Sequence, residues 1–109
     1  MTHTDAVNAV LLHLSSLGCL VARREVGLFR DVRTGTPRHI GVTGEADVQG
    51  TAPPAGRSIA VEVKTGKGRL EHDQKLWRDA FLARGGLYAV ARPDTDPEWK
   101  SSLTRLVQE

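Results

Sequence analysis

The spacing of apolar positions changes several times along this chain, and each change predicts an element. Val7, Val10, Leu11 and Leu14 recur at helical intervals, which predicts an amphipathic helix from about Thr4 to Leu17, with Thr4 as N-cap and Gly18 at its C-terminal end. Leu20 to Phe29 and His39 to Val42 read as two strands joined through Arg33-Thr34-Gly35-Thr36-Pro37. A short strand around Asp47 lies between Gly44 and Gly50, followed by a loop from Thr51 to Gly56 that Pro53 and Pro54 keep out of regular structure.

Next, Ile59, Val61 and Val63 alternate with Glu62 and Lys64, the period-two signature of a strand. A glycine-rich basic turn, Thr65-Gly66-Lys67-Gly68, leads into a helix from about His72 to Arg84. Its inward side is predicted to carry Trp77, Ala80 and Phe81, with Leu76 and Ala83 behind them and Gln74 on the same side. Gly85-Gly86 closes that helix, Leu87 to Ala91 forms a last strand, and Asp96-Pro97-Glu98 reads as an N-cap with Pro at N1 for a helix to about Val107. The predicted order is αββββαβα. It implies an α/β fold with a central mixed sheet flanked by helices, and no linker or repeat divides residues 1–109 into more than a single domain.

Composition narrows the class. Hydrophobic residues at 39% and charged residues at 26% suit a chain that buries a core rather than a disordered one. No apolar run approaches the roughly 20 residues of a membrane span, and the first residues lack a signal-peptide pattern, so a cytoplasmic setting in a bacterial or phage-infected cell is expected. Cys19 has no partner for a disulfide, and His3, His13, His39 and His72 are scattered, so no zinc site is expected. The net charge of +2 singles out no partner. Its distribution says more: Arg23, Arg24, Arg30, Arg33 and Arg38 cluster before the central strand, and Lys67 and Arg69 follow it, a pattern suited to a polyanion.

The chemistry gathers around Asp47, Glu62 and Lys64. Strand alternation puts Glu62 and Lys64 on the side opposite Ile59, Val61 and Val63, and strands adjacent in sequence are usually adjacent in space, which brings Asp47 alongside Glu62. Two carboxylates side by side repel unless a cation lies between them, and a hard divalent ion such as Mg²⁺ takes one or two carboxylates together with waters and phosphate oxygens. Lys64 adds a positive charge beside the pair.

Asp47, a spacer, then Glu62-Val63-Lys64 resembles the core motif of the PD-(D/E)XK nuclease superfamily. The ordered set Gly44-Glu45-Ala46-Asp47-Val48-Gln49-Gly50, Gly56-Arg57, Glu62 through Leu70, Gln74-Lys75 and Gly85-Gly86 resembles the VRR-NUC branch in particular, from Asp5 to about Arg92. The resemblance implies a Mg²⁺- or Mn²⁺-dependent endonuclease acting on DNA. Asp47, Glu62 and the backbone carbonyl of Val63 would hold the ion, Lys64 would orient the attacking water, and Gln74 would fix geometry. Asp5 stands where the family's first helix usually carries a Glu, and Glu71-His72 replaces the usual Ser-Pro start of the second helix. Stand-alone members resemble Holliday-junction resolvases, which implies a homodimer acting on branched DNA. A nucleic-acid-binding module that keeps the fold without the activity is the main rival expectation, and an enzyme acting on a small phosphorylated or acidic metabolite is a third, which the arginine-rich hairpin disfavours.

Overall fold

The computed structural model describes residues 1–24, 27–30 and 33–109, with the backbone alone at 27–30 and 37–40. Helix α1 spans His3–Ser16 and buries Ala6, Val7, Val10 and Leu14 along one stripe. Its N-cap is Thr2 rather than Thr4: the Asp5 N–H donates to Thr2 Oγ1 (3.0 Å) and the Thr2 N–H donates to Asp5 Oδ2 (3.2 Å). This reciprocal pair satisfies two of the donors that a helix start leaves open, so the helix begins earlier than the apolar pattern predicts. Thr4 instead accepts from Arg23 Nη1 at 3.4 Å. Gly18 follows the helix at φ +89°, the left-handed turn expected of a C-terminal glycine.

The strands are β1 (Leu20–Arg23), β2 (Gly27–Arg30), β3 (Pro37–Ile40), β4 (Val48–Ala52), β5 (Arg57–Val63) and β6 (Leu87–Ala91), with helix α2 (His72–Ala83) before β6 and α3 (Trp99–Val107) after it. The order is therefore αβββββαβα, one strand more than the pattern predicts. The segment read as one strand from Leu20 to Phe29 contributes to two sheets: β1 pairs with β4, whereas β2 pairs with β3 in a separate antiparallel sheet. Likewise β4 starts at Val48, just after Asp47, and continues through Thr51 and Ala52, which were expected in the loop. Ala52 pairs with Arg57, leaving the two prolines, Ala55 and Gly56 to make the turn.

The main sheet runs β1-β4-β5-β6, antiparallel except between β5 and β6, whose parallel pairing requires the α2 crossover. Helices α1 and α3 cover one face, over Val48, Ile59, Val61, Val63, Leu87 and Ala91. Burying each of the Val, Ile and Leu side chains among them stabilises the fold by roughly 1.5–3 kcal/mol relative to exposure. The other face meets α2 chiefly along β6, through Trp77 stacked on Phe81 at 4.9 Å and tilted against Tyr88. Gly86 allows this contact, since a Cβ there would meet Phe81 Cε2 at 2.2 Å.

Helix α2 buries no residue completely. Trp77 and Phe81 are half-buried, while Leu76, Ala80 and Ala83 are exposed, contrary to the predicted inward side. The aromatic stack takes up the space over β6, so the small and aliphatic positions of the helix lie beyond the sheet it covers. At the last helix, Asp96 does not cap: Glu98 occupies that position, and the Glu98 N–H donates to Asp96 Oδ1 at 2.9 Å in a turn leading into the helix.

Candidate active site

Strand β5 lies centrally, with β4 on one side and β6 on the other, and from Ile59 to Val63 it is buried on both faces. Glu62 is therefore not on a wet face; it is 2% exposed. Register explains its neighbour. Val48 pairs with Val61, so Asp47, one residue earlier on the antiparallel partner, stands across from Glu62. The Val63 N–H donates to Asp47 Oδ2 at 2.9 Å, and the Asp47 N–H lies 3.3 Å from Glu62 Oε1. The Arg24 N–H donates to the Asp47 carbonyl at 2.7 Å, which fixes the same residue from the β1 side.

Lys64 follows the end of β5, where its N–H still donates to the Ala91 carbonyl. Its Nζ donates to Gln74 Oε1 at 3.0 Å and lies 4.0 Å from Glu62 Oε2. Gln74 Oε1 also accepts the Glu71 N–H at 2.8 Å, so the amide that holds the lysine also closes the first turn of α2. Gly44 seats the Asp47 segment on that turn. It sits at φ +85°, and a Cβ there would lie 2.3 Å from the Asp73 carbonyl oxygen.

Asp47, Glu62, Val63, Lys64 and Gln74 line one cavity of about 260 Å³, together with His3 and the turn at Thr65 and Gly68. A second cavity of about 450 Å³ shares Asp47, Glu62 and Gln74 with the first and is walled also by Arg23, Arg24 and Glu45. Arg24 Nε donates to Glu45 Oε1 at 3.2 Å.

The electrostatics of the carboxylate pair are those of a site short of positive charge. Burial, then the hydrogen bonding and charge of Asp47, push Glu62 up to about 8, against the opposing pull of Lys64. A divalent cation would reverse this balance, because it favours both charged carboxylates. The donors are hard oxygens, which fits Mg²⁺ or Mn²⁺. Among the described residues no group of three or more His, Cys, Asp or Glu stands placed to hold a metal ion; ions of this kind can draw remaining ligands from water, backbone and substrate oxygens.

The other expected site residues are placed as follows. Asp5 is exposed, holds the capping pair with Thr2, and lines neither cavity. Its carboxylate is held below the usual range by its hydrogen bonds to Thr2. Lys67 and Arg69 are exposed on the turn after β5. That turn is tied down by Arg92 Nη1 donating to the Gly68 carbonyl (2.6 Å) and by the Gly66 N–H donating to Asp94 Oδ2 (2.9 Å). Arg33 is exposed between β2 and β3, and the side chains of Arg30 and Arg38 lie outside the described residues. Cys19 is buried, and that burial pushes its thiol up.

Two residues at this site were not singled out from sequence, His3 and Glu45. Glu45 carried a signal, since it lies two residues before Asp47 in the stretch whose sequence reads as a strand, where alternate side chains share a side. His3 carried none, because it reaches the site through the docking of α1. No protein-family model matches the chain, and no curated protein matches it significantly.

Proposed function

We propose that the protein is a metal-dependent endonuclease of the PD-(D/E)XK type, close to the VRR-NUC branch, which hydrolyses phosphodiester bonds in DNA. One observation carries this reading: Asp47, Glu62, Lys64 and Gln74, separate in sequence, line a single cavity at the end of β5. Asp47 and Glu62, with the Val63 carbonyl, would hold Mg²⁺ or Mn²⁺. Bound there, the ion supplies Lewis acidity to a phosphate oxygen and makes a water a stronger acid.

The chain's own groups supply the rest. Lys64 Nζ, held by Gln74, orients the attacking water and offsets charge developing on the phosphate as the new P–O bond forms and the old one breaks. Asp47 is fixed for its part by the Val63 amide. Arg23 and Arg24 on one side, and Lys67 and Arg69 on the other, hold the backbone phosphates, which gives binding without a sequence code. Such a small domain suits recognition of shape, so branched DNA, including the four-way junction, is the proposed substrate, with a homodimer presenting two sites to two strands.

The test incubates the protein and Lys64→Ala with four-way junction, flap, single-stranded and linear duplex DNA in Mg²⁺, Mn²⁺ or EDTA. Metal-dependent cutting that the variant lacks supports the reading, and paired symmetric cuts in the junction support the dimer. Binding without cutting in either metal would replace it with a non-catalytic nucleic-acid-binding module.

A further inference from the structure

The first residue of α1 reaches the carboxylate pair. His3 Nε2 stands 3.5 Å from Asp47 Oδ1, and His3 shares the cavity of Glu62, Lys64 and Gln74. The other Asp47 oxygen, Oδ2, is committed to the Val63 N–H, so Oδ1 is the one turned toward the imidazole. At 3.5 Å the two make no good hydrogen bond. The spacing is that of two donors sharing one ion, because donors each about 2.1 Å from a metal stand about 3.0–3.5 Å apart. The backbone of His3 is held in place by the Thr2–Asp5 capping pair and by buried Ala6 and Val7.

We propose that His3 is a third protein ligand, beside Asp47 and Glu62, of the divalent ion in the proposed nuclease site, and that it makes the site favour Mn²⁺ over Mg²⁺. This rests on the reading of that site as metal-binding. Closing the set takes rotation of the His3 ring, whose side chain is 43% exposed, and of the Glu62 carboxylate, whose Oε1 faces the Asp47 amide. The preference follows from donor chemistry. An imidazole nitrogen suits transition-metal ions, whereas Mg²⁺ demands oxygen and gives up its water reluctantly. A surface ion pair between His3 and Asp47 is the plain alternative, and it predicts no nitrogen at the metal.

The test uses Mn²⁺ itself as the probe, with wild-type protein, His3→Ala and His3→Gln, each checked by circular dichroism for an intact α1. Pulsed electron paramagnetic resonance of bound Mn²⁺ should show nitrogen-14 coupling in the wild type and none in His3→Ala. Calorimetric titration should show Mn²⁺ affinity falling at least about tenfold in both variants, with a smaller change for Mg²⁺. His13, engaged with the Lys100 carbonyl and Thr104, and exposed His72 remain in both variants, so loss of the coupling assigns it to His3. Mn²⁺ binding that Asp47→Ala abolishes, without nitrogen coupling in the wild type, would overturn the His3 assignment and leave the nuclease reading standing. Coupling that persists in His3→Ala would do the same. No Mn²⁺ binding by the wild type would overturn both.

Discussion

Gln74 Oε1 accepts from Lys64 Nζ at 3.0 Å and from the Glu71 N–H at 2.8 Å, so the start of a surface helix and the cation of the candidate site share one oxygen atom. Removing the amide should act on both. Gln74→Ala is expected to cost about 1 kcal/mol of stability, as the loss of a helix-start hydrogen bond does, and to lower the rate of DNA cleavage by roughly tenfold or more. Lys64→Ala should lower the rate far more, by about 10²–10³-fold. Urea denaturation and single-turnover cleavage separate the effects. Equal rate losses would mean that the lysine is ineffective without its amide partner, and a larger loss in Gln74→Ala would show that Gln74 does more than hold the lysine.

How far the site was legible follows from these same residues. Asp47 meets Glu62 because a short turn with two prolines joins neighbouring antiparallel strands, which leaves few registers, and sequence adjacency is enough to foresee it. Gln74 could be placed inward by its helical spacing from Trp77. The split of Leu20 to Phe29 between two sheets could not be read, because alternation marks a strand without naming its partner. Nor could the exposure of Leu76 and Ala80: amphipathic spacing tells which side of α2 turns inward, and only the extent of the sheet beneath decides how much is covered. His3 depends on where a whole helix docks, which local pattern does not carry.

The pH dependence of stability should carry the mark of Glu62. Its folded form keeps a proton up to about 8, whereas the unfolded chain releases it near the ordinary 4.5. Between those values the native state binds more protons than the unfolded state, so stability falls as pH rises. The contribution is complete below about pH 4.5 and lost as pH passes through about 8. In EDTA, Tm should drop from pH 6 to pH 9, and Glu62→Gln should flatten that part of the curve. Mn²⁺ should oppose the drop, and calorimetry in buffers of different ionisation enthalpy should detect proton release on binding below pH 8. A Tm that rises over this range in EDTA would mean that Glu62 is already ionised.

Gly44 makes a prediction about geometry rather than charge. A Cβ at this position would lie 2.3 Å from the Asp73 carbonyl oxygen, and φ of +85° is disfavoured for any other residue. Gly44→Ala must push the Asp47 segment away from α2, at a cost of about 1–3 kcal/mol. For a domain of this size each kcal/mol lowers Tm by roughly 4–8 °C. Gly35→Ala, at φ +71° with no atom of the described residues within 4 Å of its would-be Cβ, carries the backbone penalty without such a clash. Cleavage should therefore fall in the first variant and not in the second, and equal activities would show that the Gly44 contact does not position the site.

Asp5 separates a capping role from a catalytic one. Its carboxylate is exposed and bonded to the Thr2 N–H, so Asp5→Ala should lower stability modestly while leaving the cleavage rate and metal affinity close to wild type. Thr2→Ala, which removes the reciprocal acceptor, should cost a similar amount. A rate loss in Asp5→Ala that Thr2→Ala does not share would return Asp5 to the metal.

The Arg24–Glu45 pair shows how an unequal environment decides the cost of breaking a bridge. The Glu45 side chain is 4% exposed and that of Arg24 is 52% exposed, with Nε 3.2 Å from Oε1. Removing Arg24 takes from a buried carboxylate the cation bonded to it among the described residues. For a fully buried pair that costs about 3–5 kcal/mol, but solvent already reaches the Arg24 side, so the expected loss is roughly 1–2 kcal/mol. The double variant Arg24→Ala/Glu45→Gln should recover much of it, because a neutral amide in the same place does not need the cation. DNA affinity should not recover if, as proposed, the arginine's charge meets a phosphate, and the slope of log affinity against log salt should then shrink by about one. If the double variant regained full DNA affinity, Arg24 would be a structural partner of Glu45 and nothing more.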